Sequence, residues 1–179
     1  MNFGDSELGG TLTKFSRIPN RFKIIGLFDC DEGNGRSIHQ EGGIRDYGNN
    51  VYGMSIPVPS YRTYNEGGIS VEFLYRDEDL KKTDSNNRRL FVTSEFNENG
   101  RYKADLTIGV KNTEKVKNYI DSSKEKIYDH DVIDIEGNSL ALSKENFASN
   151  VLNSVPPFDN MEFSGFRAVF DRLKSIIQG

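Results

Sequence analysis

Residues 22–29 (FKIIGLFD) carry the pattern that most constrains the fold, because Ile24, Ile25, Leu27 and Phe28 follow one another almost without a polar break. A strand with one wet face alternates, whereas a run like this one fits a strand covered on both faces, as in a parallel α/β sheet. The segment is therefore expected to be an interior strand, with residues 24–28 buried from both sides. It ends in Asp29-Cys30-Asp31-Glu32-Gly33-Asn34-Gly35, an acidic loop with two glycines.

The rest of the chain reads as elements packed around such a strand. Residues 5–18 fit a short helix with Asp5 or Ser6 as N-cap and Leu8, Leu12 and Phe15 on one face. Residues 34–49 are polar and glycine-rich, with at most a short helix over 37–41. Residues 50–58 form a second strand, and the alternation of Ile69, Val71, Phe73 and Tyr75 predicts a strand over 69–75. Residues 77–82 suit one or two helical turns. Residues 88–96 and 101–109 are expected to pair as a β-hairpin across the turn at 97–100. Helices are expected over 113–124, with Thr113 as cap, and from the Ser143 cap to Asn153. The clearest helix is 162–178, with Phe163, Phe166, Val169, Phe170, Leu173, Ile176 and Ile177 as its apolar stripe. Most of that stripe reads as core, and part of it could serve as a docking face.

Composition narrows the function classes. With 179 residues, 35% of them hydrophobic, the chain is long enough for one domain with a real core, and twelve Phe and eight Tyr argue against disorder. A net charge of −4 argues against a broadly basic nucleic-acid surface but leaves room for a local basic groove. No apolar run approaches the roughly 18 residues of a membrane span. The start, MNFGDSELGG, lacks the basic flank and apolar stretch of a signal peptide. A single cysteine, Cys30, excludes an internal disulfide, so a reducing, cytoplasmic setting is expected. Two histidines, His39 and His130, and no HExxH leave carboxylates and an oxygen-bound metal as the best-stocked chemistry.

Asp29 and Asp31 are the first candidates. Two carboxylates at i and i+2 just beyond a strand tip face the crevice where open α/β sheets bind ligands. They can hold Mg²⁺ while water and phosphate oxygens complete its octahedron. The alternative is a solvated acidic turn, with Glu32 at the start of the next helix. An EF-hand is excluded, because with Asp29 as position 1 the turn glycine is replaced by Asn34 and the bidentate glutamate by Gln40. No GxxxxGK[ST] is present, and Gly33-Asn34-Gly35 does not extend to GxGxxG because Ile38 stands at the third glycine.

Other candidates have stronger structural alternatives. Glu72 and Glu95 could join a carboxylate cluster or lie on a wet strand face. Asp129, Asp131, Asp134 and Glu136 surround His130, as a metal group or as a solvated loop. Arg88, Arg89, Arg101 and Lys103 would share neighbouring strands of the hairpin and could bind nucleic-acid phosphates, with Tyr102 stacking on a base. Ordinary pairing with Glu95 and Glu98 is the competing reading. Cys30 reads as a small buried hydrophobe.

The segment FKIIGLFDCDEGNG resembles the Toprim motif in which a hydrophobic strand ends in D-x-D, followed by an acidic residue and a glycine. Toprim domains occur in topoisomerases, primases, overcoming-lysogenization-defect nucleases and bacterial phage-defence proteins. The resemblance covers residues 5–60 and depends on strand 22–29 being interior. It implies an α/β fold with a mostly parallel sheet, flanking helices, an added β-hairpin and a helical C-terminal part. It implies Mg²⁺-dependent (or Mn²⁺-dependent) cleavage of phosphodiesters in DNA or RNA. Asp29 and Asp31 would be the metal ligands, and Asp29, Asp31 and Glu32 the catalytic group. The family also draws a glutamate from an earlier strand, and only Asp5 and Glu7 precede Asp29 among the acids. Residues 1–179 are accordingly expected to form a single α/β domain, the later part or one subunit of a larger protein, with an ATPase subunit or an upstream domain as partner. A non-catalytic module that binds protein or nucleic acid and retains the fold is the alternative.

Overall fold

The computed structural model describes residues 4–31, 33–62, 68–121 and 125–179. In chain order the helices are α1 (Asp5–Phe15), α2 (Gly33–Gln40), α3 (Asp77–Leu80), α4 (Thr113–Asp121), α5 (Lys144–Leu152) and α6 (Arg167–Gln178). The strands are β1 (Ile24–Phe28), β2 (Ile44–Gly48), β3 (Val51–Ser55), β4 (Phe91–Val92), β5 (Arg101–Tyr102), β6 (Asp105–Val110), β7 (Ile127–Tyr128) and β8 (Val132–Ile133). The fold is mixed α/β. Its described parts separate into two compact units, one from Met1–Tyr64, Gly68–Leu74 and Gly165–Gly179, the other from Tyr75–Ser164.

The first unit is a three-stranded sheet in the order β1-β3-β2, with helices on both faces. Ile24 and Phe28 of β1 and Val51 of β3 pack with Leu12 of α1 and Ile38 of α2. On the other face, Ile25 and Met54 meet Val169, Leu173 and Ile176 of α6. β3 is buried along its length except at half-buried Tyr52, whereas of residues 24–28, expected to be buried from both sides, Gly26 and Phe28 are buried, Ile24 and Ile25 half-buried and Leu27 exposed. The Nζ of Lys23 donates to the carbonyls of Ile176 (2.6 Å) and Ile177 (3.2 Å), placing a cation on the C-terminal end of α6, where the helix dipole favours it.

The interior position expected for β1 is corrected. Among the described residues β1 pairs only with β3, in parallel, and lies at the sheet edge with Leu27 43% exposed. The central strand is β3, with the antiparallel β2 on its other side. Of the five ladders among the described residues, only β1–β3 is parallel, so the sheets are not mostly parallel. An apolar run reports cover on both faces, and it carries no information about the hydrogen-bonding edges.

The second unit centres on Phe91, Phe96, Val110, Val116, Tyr128 and Val132. The expected pairing of 88–96 with 101–109 holds only beside the 97–100 turn, where Phe96 bridges Tyr102 antiparallel and the Lys103 N–H donates to Glu95 O (2.9 Å). β4 pairs with β7, and β5 forms its hairpin with β6, which continues to β8. The guanidinium of Arg89 lies 3.8 Å from the Phe91 ring centroid and makes two hydrogen bonds to Glu95 (2.9 and 3.0 Å). Glu95 also accepts from the Val92 N–H, which folds residues 93–95 into a 3₁₀ turn and ends the strand.

Several local expectations also change. Val71–Leu74 is a 3₁₀ turn rather than part of a strand, and β2 forms where no strand is expected. α1 starts after Gly4, which leaves Asp5 available for another task, and the Asn112 Oδ1, not Thr113, accepts the Lys115 N–H at the start of α4. Ser143 caps α5 as expected, accepting from Asn146. In the stripe at 162–178, Val169 and Ile176 are buried, but Phe163, Phe170 and Ile177 are exposed.

The Arg89–Glu95 pair is nearly buried, so truncating the acid strands a desolvated guanidinium. Glu95→Ala is expected to lower unfolding free energy by about 3–5 kcal/mol in a urea titration. Glu41→Ala, which breaks the more exposed pair with Arg45, should have a far smaller effect. Equal losses would show that burial does not distinguish the two pairs.

Candidate functional site

The loop after β1 is shaped by three close approaches. The Asp5 carboxylate crosses to the start of α2, where Oδ2 accepts the Asn34 N–H (2.9 Å) and Oδ1 the Gly35 N–H (3.1 Å). These amides have no partner within their own helix, and a carboxylate there also complements the helix dipole. Gly35 then packs so tightly on the loop that a Cβ would come within 1.7 Å of the Asp29 carbonyl oxygen. From the other side Gly68, at φ +63°, approaches so closely that a Cβ would lie 1.7 Å from the Cys30 carbonyl oxygen. The Cys30 N–H donates to Ile69 O (2.9 Å), and the Val71 N–H donates to Asp29 Oδ1 (2.9 Å).

This framework directs the side chains. Asp29 is exposed and Asp31 half-buried, and both lie at the carboxyl end of β1 beside its parallel neighbour β3. Cys30 between them is fully buried, as its reading as a small hydrophobe requires. Burial pushes its thiol up to about 11, reinforced by the charges of Asp31 and Asp29 against the opposing pull of the Ile69 backbone and Arg172. The thiol is therefore protonated at neutral pH and unsuited to act as a nucleophile. Glu32 lies outside the described residues. Glu72 is half-buried and accepts from the Ser70 hydroxyl (2.5 Å).

Among the described residues no group of three or more His, Cys, Asp or Glu side chains is arranged to hold a metal. The donor chemistry of the loop fits a less enclosed site. Mg²⁺ commonly takes one or two carboxylates and keeps water or substrate phosphate in its remaining positions. Asp29 and Asp31, both reaching solvent, satisfy that requirement.

The other candidates separate. Arg88 donates through Nε and Nη2 to Asp84, and Arg89 is held by Glu95. The Lys103 Nζ donates to Ser94 O, and Arg101 is exposed on β5. Tyr102 makes an edge contact with Phe91, with ring centroids 5.8 Å apart. The four cations do not gather on one pair of strands as expected; Arg89 pairs with Glu95, within its own segment and not across strands, while Arg88 pairs with Asp84, outside the reading that named Glu95 and Glu98. His130 is exposed between Asp129 (2.7 Å) and Asp131 (3.5 Å), while Asp134 accepts from the Glu136 and Asn138 amides to form a turn.

Two contributors escape sequence reading. Asp5 acts 29 residues from its own position, and Arg172 of α6 donates to Ser55 O at the end of β3 (2.9 Å). Only the polar residue type of Asp5 is a signal in sequence, and nothing local indicates its target. Comparison with protein-family models, curated proteins and solved structures finds no match to this chain.

Gly35→Ala forces a methyl group against the Asp29 carbonyl and is expected to cost about 1–3 kcal/mol. It should also speed amide exchange at Cys30 and Val71, whose N–H groups tie down the loop. Unchanged stability and exchange would show that the loop does not depend on this contact.

Proposed function

We propose that this chain is a Mg²⁺-dependent phosphodiester-cleaving domain of a bacterial defence or DNA-processing protein, acting on DNA or RNA in the cytoplasm. The supporting observation is the placement of Asp29 and Asp31 on a pinned loop at the carboxyl end of a parallel strand pair, where α/β sheets bind ligands. The edge position of β1 takes away the interior strand on which the Toprim resemblance depends, so the metal-site reading rests on this placement and on the D-x-D motif alone. Among the described residues no helix is long and apolar enough to cross a membrane.

In this reading Asp29 and Asp31 hold Mg²⁺ or Mn²⁺, which when bound polarises a phosphoryl oxygen as a Lewis acid. The Val71 N–H orients the Asp29 carboxylate. Gly35 and Gly68 keep the backbone between the two aspartates from shifting as charge accumulates there. Cys30 fills space beneath the loop and does not take part in proton transfer. A further acid comes from an upstream segment or a partner subunit. The outer edge of β1, unpaired with any described residue, offers backbone groups to which such a segment could add.

A ligand that binds only the folded state stabilises it in proportion to occupancy. Mg²⁺ at tenfold its dissociation constant is expected to raise the Tm of the wild type by about 3–6 °C. Asp29→Asn and Asp31→Asn should each abolish that rise while keeping the metal-free fold, because they remove charge at nearly constant shape. Phosphodiesterase activity of the complete assembly should disappear with the same changes. Equal metal responses in wild type and both variants would reject the site and favour a non-catalytic binding module.

A further inference from the structure

Arg172 is a half-buried guanidinium for which the described residues supply no acid. Arg45, Arg76, Arg88 and Arg89 each lie on a carboxylate, whereas Arg172 makes one hydrogen bond, from Nη1 to the carbonyl of Ser55. A guanidinium has five N–H donors, so most of them have no partner among the described residues. Burial lowers its pKa from the ordinary value, yet arginine stays charged at any working pH. A partly desolvated cation without a counter-charge is costly, and an anionic ligand relieves that cost.

Its position is defined by its surroundings. The guanidinium lies over Gly43, where a Cβ would come within 2.2 Å of Nη1 and 2.9 Å of Nη2. It anchors at Ser55, the last residue of β3 and the register partner of Phe28, the residue before Asp29. Ser55 and Phe28 end the two strands side by side, so the cation and Asp29 occupy the same end of the sheet. The Ser55 Oγ is buried there without a hydrogen-bond partner. Two of the usual anion donors at such a place, the Asn34 and Gly35 amides near the start of α2, already donate to Asp5.

We propose that Arg172 is the anion-binding residue at the carboxyl end of β1 and β3, taking the oxygens of a phosphate group through the guanidinium donors that Ser55 leaves unused. The assignment of that phosphate to a nucleic-acid backbone rests on the function proposed above, whereas the anion site itself does not. Arginine suits it because its planar donors can bridge two phosphate oxygens, which lysine cannot do.

The test uses the full chain in EDTA, with inorganic phosphate and a fluorescent oligothymidylate as separate probes. Wild type is expected to bind phosphate with a measurable rise in Tm. Arg172→Gln should weaken phosphate binding tenfold or more, and Arg172→Lys should weaken it to a smaller extent. Lys174→Gln, an exposed change on the same helix, should leave it unaltered. If Arg172→Gln fails to fold, the comparison of Arg172→Lys with wild type carries the test. Oligothymidylate binding that falls with the same substitutions assigns the phosphate to a nucleic-acid backbone, and a response to inorganic phosphate alone assigns it to a free phosphate. Asp29→Asn should retain metal-free phosphate binding. A wild type that shows no Mg²⁺ response, or the same response as Asp29→Asn, while its Arg172-dependent phosphate binding is intact would therefore sink the metal reading and leave this one standing. No phosphate binding by wild type, or equal binding by wild type and the folded Arg172 variants, overturns the proposal.

Discussion

The carboxylate of Asp5 spans the Asn34 and Gly35 amides at the start of α2, and the geometry of the sheet end depends on that contact. It fixes where α2 begins, which brings Gly35 against the Asp29 carbonyl and limits the loop to the path it takes. A helix start without a partner for its first amides would need another acceptor, and a phosphate would be an obvious one. Asp5 fills that role from within the chain for two of the amides, and Asp29, Asp31 and Arg172 are the described charged groups beside it at this end of the sheet.

The arrangement separates rigidity from reactivity. Residues 29–31 follow directly on the Ile56 N–H bond to Phe28 O and are tied to residue 69 through the Cys30 N–H and to residue 71 through the Asp29 side chain. Cys30 turns inward, fully buried, so that the residues on either side project the other way. Two like charges near one another repel, and the framework that holds them is the kind of pre-set cost that a divalent cation offsets on binding. Arg172 supplies the opposite charge without neutralising the pair directly, since its one hydrogen bond goes to a main-chain carbonyl.

What could be read in the sequence divides along physical lines. Helices α1, α4, α5 and α6 follow from apolar spacing, and the capping of α5 by Ser143 follows from a local side-chain contact. The acidic loop, its place after β1 and the inward Cys30 were also legible, because a strand ended by acids and glycines is a local pattern. Non-local choices were not. The five residues of β1 carry the same pattern at an edge as in the middle of a sheet, and Phe91 and Val92 pair with β7 while only the end of 88–96 next to the turn meets β5. The alternation at 69–75 reflects burial of Phe73 and Leu74 in a 3₁₀ turn, which short apolar segments cannot distinguish from a strand. Asp5 and Arg172 act across long sequence separations through single contacts, with no periodicity to announce them.

The central claim is that Asp29 and Asp31 form a divalent-cation site at the end of β1. Anomalous diffraction from crystals of the full chain grown with Mn²⁺ addresses it directly. The account predicts a manganese peak between the two carboxylates, absent from crystals of Asp31→Asn grown in the same way. A wild-type map with no peak at this loop, or with manganese bound only at other acidic residues, would contradict it.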